Sequence, residues 1–187
     1  SRAVETAFGQ WAIDLDGSIG QWYAVGPEYR DFEGDTVERL SPGHIGGAEE
    51  GMYINFSGRN DFVTAKVSTD SKYIYFMAEC AADITAPEGT NWMNLFINLD
   101  GDPATGWEGF DFVINRARDA HYVSIESLEN GWNGTPVGQS LYTVDGKTMT
   151  IRVSKAALGV SGEVSSFLFK WADNSTWTGN VLEFMDY

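Results

Sequence analysis

The chain has 187 residues, 43% of them hydrophobic, which is enough for one globular domain with a real core. Its 27 acidic residues outnumber 12 basic ones, for a net charge of −15; this argues against nucleic acid, whose phosphates need a basic footprint, and against an anionic membrane surface. A single cysteine, Cys80, excludes an internal disulfide and a cysteine-based zinc site, and no apolar run reaches the roughly 18 residues that would span a membrane as a helix.

The amino-terminal fifty residues are rich in Gly and charge. The start at Ser1 shows no signal peptide and suggests an excised piece with residues 1–10 as a linker remnant, which leaves the compartment open. "LDGSIGQW" and "YRDFEGDTVE" read as ordered loop between short strands. Strand signals then dominate: Met52–Phe56, Asp61–Ser68, Lys72–Cys80, Met93–Leu99, Phe110–Asn115 and His121–Ser127. Thr148–Ser154 alternates strictly, with Met149, Ile151 and Val153 against Thr150, Arg152 and Ser154, the period of a strand with one face in the core. "SKAALG", Ser154–Gly159, reads as the one helical turn. Val164–Ala172 and Val181–Met185 close the series. Between the strands lie turn signals such as "STDSK", "ENGWNGTP" and "VDGK". There is no internal repeat or linker. The pattern predicts a single all-β domain, an antiparallel, jelly-roll-like β-sandwich with long loops.

Two groups of residues carry chemistry. The first is the acidic connection between the strands at Met93 and Phe110, where Asp100, Asp102, Thr105, Glu108 and Asp111 place five oxygen-bearing side chains close together. Calcium takes about six to eight hard oxygens from a loop able to wrap it, so Asp100, Asp102, Glu108 and Asp111 are candidate ligands. The plainer reading is that Asp100 and Asp102 make local Asx-turns. The second group is the loop tryptophans Trp92, Trp107, Trp132 and Trp177, each set among polar turn residues. An indole there is either a lid folded onto the core or a flat platform for a ligand such as a sugar, whose C–H face stacks on aromatic rings. Asp173 and Asn174 lie beside Trp177 and suit sugar hydroxyls. His44 and His121 sit near no nucleophile, and no GxSxG elbow appears, so nothing points to hydrolytic catalysis.

In order along the chain, "LDGSIGQW", "SKYIYFMAEC", "NWMNLFINLDGD" and "FLFKWADNSTW" resemble the successive markers of the family 9 carbohydrate-binding modules and the related DOMON-like domains. The resemblance spans roughly residues 13–187 at low identity. It implies a β-sandwich attached to a secreted or cell-surface bacterial polysaccharide-degrading enzyme. It implies that Trp92 and Trp177 sandwich a sugar unit, with Asn174 and Asp173 on its hydroxyls, and that structural calcium steadies the loops. Trp107, Glu108 and Arg116 are further candidates for the sugar site. "DGDPATGWEGFDFVINR" is longer than the family's loop, which leaves open whether chain ends or internal units are bound. The expectation is a monomeric, non-catalytic module that binds a polysaccharide or oligosaccharide and serves an attached catalytic domain. The alternatives are a structural or adhesive sandwich and a haem-binding electron-transfer domain.

Overall fold

The computed structural model describes residues 5–35, 39–42, 52–55, 58–173 and 176–177, the second, third and last of these segments by their backbone alone. The strands are β1 (Tyr29–Arg30), β2 (Arg39–Pro42), β3 (Met52–Asn55), β4 (Phe62–Thr69), β5 (Tyr73–Cys80) and β6 (Asn94–Asn98). They continue as β7 (Phe112–Arg118), β8 (Tyr122–Ser127), β9 (Thr135–Asp145), β10 (Thr148–Ser154), β11 (Leu168–Ala172) and β12 (Thr176–Trp177). Nine form one antiparallel sheet in the order β1-β4-β5-β10-β9-β8-β7-β6-β11, and β12-β3-β2 form a second, three-stranded sheet.

The large sheet curls on itself into a sandwich-like body. Tyr29 on one edge strand meets Phe169 on the other edge-to-face, with ring centroids 5.2 Å apart. Phe76 of β5 and Phe62 of β4 reach Phe169 and Trp171 of β11 at 5.8 and 6.1 Å. The enclosed core follows from alternation: Ile74, Phe76, Ala78 and Cys80 point inward from β5, Leu95 and Ile97 from β6, and Met149, Ile151 and Val153 from β10. Burial of a large apolar side chain contributes about 1.5–3 kcal/mol, so this set dominates stability. The Cys80 thiol is sealed here, and burial pushes its pKa up to about 12, so it behaves as a small apolar residue.

The outer face of the same sheet carries two further apolar clusters, because several strands are hydrophobic on both sides. On β5, Tyr75 and Met77 point outward and are covered by Ile13, Trp22 and Val25 of the amino-terminal segment. On β6 and β7, Phe96 and Val113 point outward and are covered by Leu128 with Trp107, Phe110 and Trp132 from two loops.

Three local expectations are corrected. After Ser154, the end of β10, residues 155–159 form turns rather than a helix, with Leu158 N to Lys155 O and Gly159 N to Ala156 O both at 3.1 Å and Leu158 N to Ser154 O at 3.4 Å. The one helical turn among the described residues is a 3-10 turn at Ile19–Trp22, where Ser18 Oγ accepts the Gly20 N–H at 3.1 Å. The eleven-residue β9 runs from the turn signal at 129–136 to that at 144–147, where no strand is expected. Its first five residues are exposed and include Pro136 and Gly138, so no hydrophobic period announces it. The strand expected at Val181–Met185 lies outside the described residues.

Candidate functional site

Trp92 and Asp173 were expected to face a sugar, and both are sealed inside the fold. Trp92 exposes 0% of its surface and belongs to the main core. Its indole N–H reaches the Thr85 hydroxyl at 3.1 Å, and the Arg118 guanidinium lies 5.2 Å above its ring. No face remains for a ligand. Asp173 is equally buried and spends both oxygens internally: Oδ1 accepts from Arg59 Nε at 2.7 Å, and Oδ2 accepts from Asn60 Nδ2 at 2.6 Å and Met93 N at 3.0 Å. Burial raises its pKa, opposed by Arg59 and these bonds. The physical reason is that the β5–β6 loop is pulled inward by long-range polar groups. Asn115 donates to the Trp92 and Met93 carbonyls at 2.8 and 2.9 Å, and Arg118 donates to Gly89 O at 2.8 Å. Asn60, Met93 and Asn115 all adopt left-handed backbone, with φ of 54°, 48° and 77°, a costly conformation held by this network. Asn174 lies outside the described residues. Trp177 is placed by its backbone alone, opposite Tyr53 in the small sheet.

The acidic loop folds into successive turns. Asp100 Oδ1 accepts from Asp102 N at 2.7 Å, Asp102 Oδ1 from Ala104 N at 2.8 Å, and Asp111 Oδ2 from Leu99 N at 2.6 Å. Gly106, at φ 63°, passes so close to Phe110 that a Cβ would sit 2.0 Å from its carbonyl oxygen. Trp107 and Phe110 then exchange backbone bonds at 2.9 and 2.8 Å, with Glu108 exposed at φ 51° in the tight return. The four carboxylates do not gather as a ligand set: among the described residues no three acid, histidine or cysteine side chains converge on a metal position. A smaller constellation does form. The Thr105 hydroxyl lies 3.2 and 3.0 Å from the two Asp100 oxygens, 3.1 Å from Asp102 O and 3.4 Å from Asp111 Oδ1. One hydroxyl proton cannot serve four acceptors, so the set carries more acceptor oxygen than protein donors satisfy. That chemistry fits a hard cation in part, held by Asp100, Asp111 and the Asp102 carbonyl.

Among the described side chains, the loop tryptophans that reach the surface are Trp107 and Trp132, both half-buried. Their rings lie 4.6 Å apart, and Trp132 stacks over Phe96 at 6.2 Å. Arg116 of β7 lays its guanidinium 4.7 Å from the Trp132 ring centre. The same guanidinium grips Glu126 of β8 with Nε and Nη2 at 3.0 and 2.9 Å and donates through Nη1 to Trp132 O at 2.5 Å. Such a bidentate pair is rigid, and it holds the Trp132 loop to the sheet. Gly134 makes room for it, since a Cβ there would fall 2.3 Å from Arg116 Nη2.

Beside this cluster an open groove of about 420 Å³ crosses the outer face of β7, β8 and β9. It is lined by Arg116 and Ala117 of β7, Ser124 and Glu126 of β8, Pro136 of β9, Trp132, and Thr90 of the β5–β6 loop. It offers an aromatic edge, a fixed charge pair and hydroxyl groups on a rigid sheet. Sequence reasoning picked out Trp132 and Arg116 singly. It missed Glu126, Ser124, Thr90 and Pro136, because only the pairing of β7 with β8 and β8 with β9 assembles them. Of the groups a haem could use, Met77, Met93 and Met149 are buried in apolar clusters and His121 is exposed, while His44 and the side chains of Met52 and Met185 lie outside the described residues.

A scan against protein-family models gives no match, and a search of curated proteins gives none either.

Proposed function

We propose that this domain is a non-catalytic carbohydrate-binding module whose glycan lies in the groove beside Trp132, rather than between Trp92 and Trp177. The single observation that carries this reading is the groove's lining: a half-exposed indole next to a rigid Arg116–Glu126 pair and the Ser124 and Thr90 hydroxyls. A sugar ring would contact the indole with its C–H surface and the polar groups with its hydroxyls. Because Arg116 already spends three donors on Glu126 and Trp132 O, a neutral polysaccharide suits the groove better than a polyuronate. Affinity in so shallow a site is weak, about micromolar to millimolar. Its use is to raise the local concentration of an attached catalytic domain at its glycan, in a secreted or cell-surface bacterial protein. Calcium at Asp100 and Asp111 would cross-link the loop that carries Trp107, so that less ordering entropy is lost on binding.

The burial of Trp92 and Asp173 favours a second reading, a structural or adhesive sandwich with no small ligand. Affinity electrophoresis through a panel of neutral polysaccharides, with calcium and again with chelator, separates the two. Retention that disappears in Trp132→Ala supports the module and its site. Retention that disappears in Trp177→Ala instead moves the site to β12, and no retention by any glycan leaves the structural reading.

A further inference from the structure

The two covers on the outer face of the sheet leave a strip open between them. The amino-terminal segment lies over β5 and reaches β9 at Thr143, whose Oγ1 donates to Leu15 O at 3.2 Å. The loops that carry Trp107 and Trp132 lie over β6 and β7. In the sheet order, β10, β9 and β8 stand between β5 and β7. Thr135–Gln139 of β9 are exposed there, and Tyr122 of β8 and Val137 of β9 each show 42% of their surface.

Strand register joins this strip to the groove. Val123 and Ile125 point into the core, so Tyr122, Ser124 and Glu126 share the outer face of β8. Ser124 and Glu126 line the groove beside Trp132. Tyr122 stands about 13 Å from Glu126 along the strand at the usual rise per residue. On β9, Gln139 pairs with Ser124 and Leu141 with Tyr122. An aromatic ring therefore marks each end of one continuous surface, Trp132 at one and Tyr122 at the other.

Charge says what can lie on it. The chain carries a net −15, yet Thr135–Val144 contains no charged residue, and neither does Tyr122–Ile125. Arg116 and Glu126 neutralise each other at 2.9 Å, and Arg152, opposite Leu141, is turned onto the Tyr73 ring at 4.6 Å. Exposed surface is ordinarily kept charged, and a strip without charge suits an uncharged ligand. The Gln139 amide and the Tyr122 hydroxyl are open to solvent and have no side-chain partner among the described residues. They are free to meet sugar hydroxyls while the Tyr122 ring meets C–H surface.

We propose that the glycan site at Trp132 continues along β8 and β9 to Tyr122, so that the domain binds internal stretches of a linear, uncharged polysaccharide rather than its chain ends. This rests on the glycan reading of the groove and adds its substrate class.

The test is calorimetric titration of the intact domain with a length series, disaccharide to hexasaccharide, cut from a neutral polysaccharide that retains it. Affinity rises about tenfold along the series. Tyr122→Ala, at an exposed side chain, removes most of that rise and leaves disaccharide binding and Tm unchanged; a merely structural role would lower Tm and weaken every length alike. Gln139→Ala acts in the same way by a smaller factor. Reducing the terminal unit of the hexasaccharide to its alditol changes nothing. Equal affinity at every length, a full rise kept by Tyr122→Ala, or binding lost on reduction overturns this proposal alone, since Trp132→Ala still tests the groove. No retention by any polysaccharide removes both readings. A dimer in solution that Tyr122→Ala dissolves also overturns it, because the strip is then covered by a second copy of the chain.

Discussion

The two apolar patches on the outer face of the sheet are solved differently. Over β5, Trp22 is 2% exposed and its segment is fastened at several points. Lys66 Nζ donates to Trp22 O at 2.9 Å, and Ser68 Oγ bonds both the N–H and the carbonyl of Trp11, at 3.0 and 2.6 Å. Over β6 and β7, the cover is made of two loops, and its indoles at Trp107 and Trp132 remain half-buried. A sealed cover has finished its hydrophobic burial and is structural. A half-open one leaves apolar surface whose burial a ligand can complete. On this argument the second patch is the face proposed for glycan.

Substitutions sharpen that contrast. The largest effect is expected where burial is complete: Trp92→Ala and Trp22→Ala each cost about 3–5 kcal/mol, read by chemical denaturation. Trp132→Ala should cost only about 1 kcal/mol, in line with its partial burial, and a loss as large as Trp22→Ala would erase the distinction between the covers. Calcium comes next. At a hundredfold excess over its dissociation constant it should stabilise by about 2.7 kcal/mol, seen as a rise in Tm that chelator removes and Asp100→Asn abolishes. No shift would mean that water, rather than calcium, meets the remaining oxygens of the loop. Gly134→Ala places a Cβ against Arg116 Nη2 at a residue with φ 61°, and should cost about 1–2 kcal/mol while displacing the Arg116–Glu126 pair.

The smallest effect is electrostatic and belongs to the sealed side. Burial raises the Asp70 pKa, but hydrogen bonds from the Tyr75 hydroxyl and from the Lys72 and Tyr73 amides outweigh it and leave it below its ordinary 3.8. The unfolded chain therefore takes up this proton first on acidification. The stabilisation is complete above 3.8 and is lost as pH falls from there through the lower folded value. Asp70→Asn should flatten that part of the acid-unfolding curve, and an unchanged curve would rule the carboxylate out as a contributor.

Much of the framework was legible in the chain. Alternation fixed β10 outright, and aromatic runs bounded by Gly, Asp and Ser marked β4, β5, β6 and β8 within a residue and β7 within three. What escaped was β9, whose first half is exposed on both faces and so carries no period. The tryptophans were harder. Trp92 has the same polar neighbours as a surface indole, and only Asn115, Arg118 and Asp173, distant in sequence, draw it into the core. Trp132 looked similar and ended outside, since Arg116 anchors its loop onto the sheet. Local composition cannot separate these cases, because the deciding contacts lie on other strands.

The central claim is that the half-open cover binds glycan and the sealed tryptophans do not. The most direct measurement is affinity electrophoresis of Trp132→Ala against the unaltered domain through each retaining polysaccharide, with Tm measured on the same samples. The account predicts that retention is lost while Tm falls by only a few degrees. Full retention by a folded Trp132→Ala domain would contradict it.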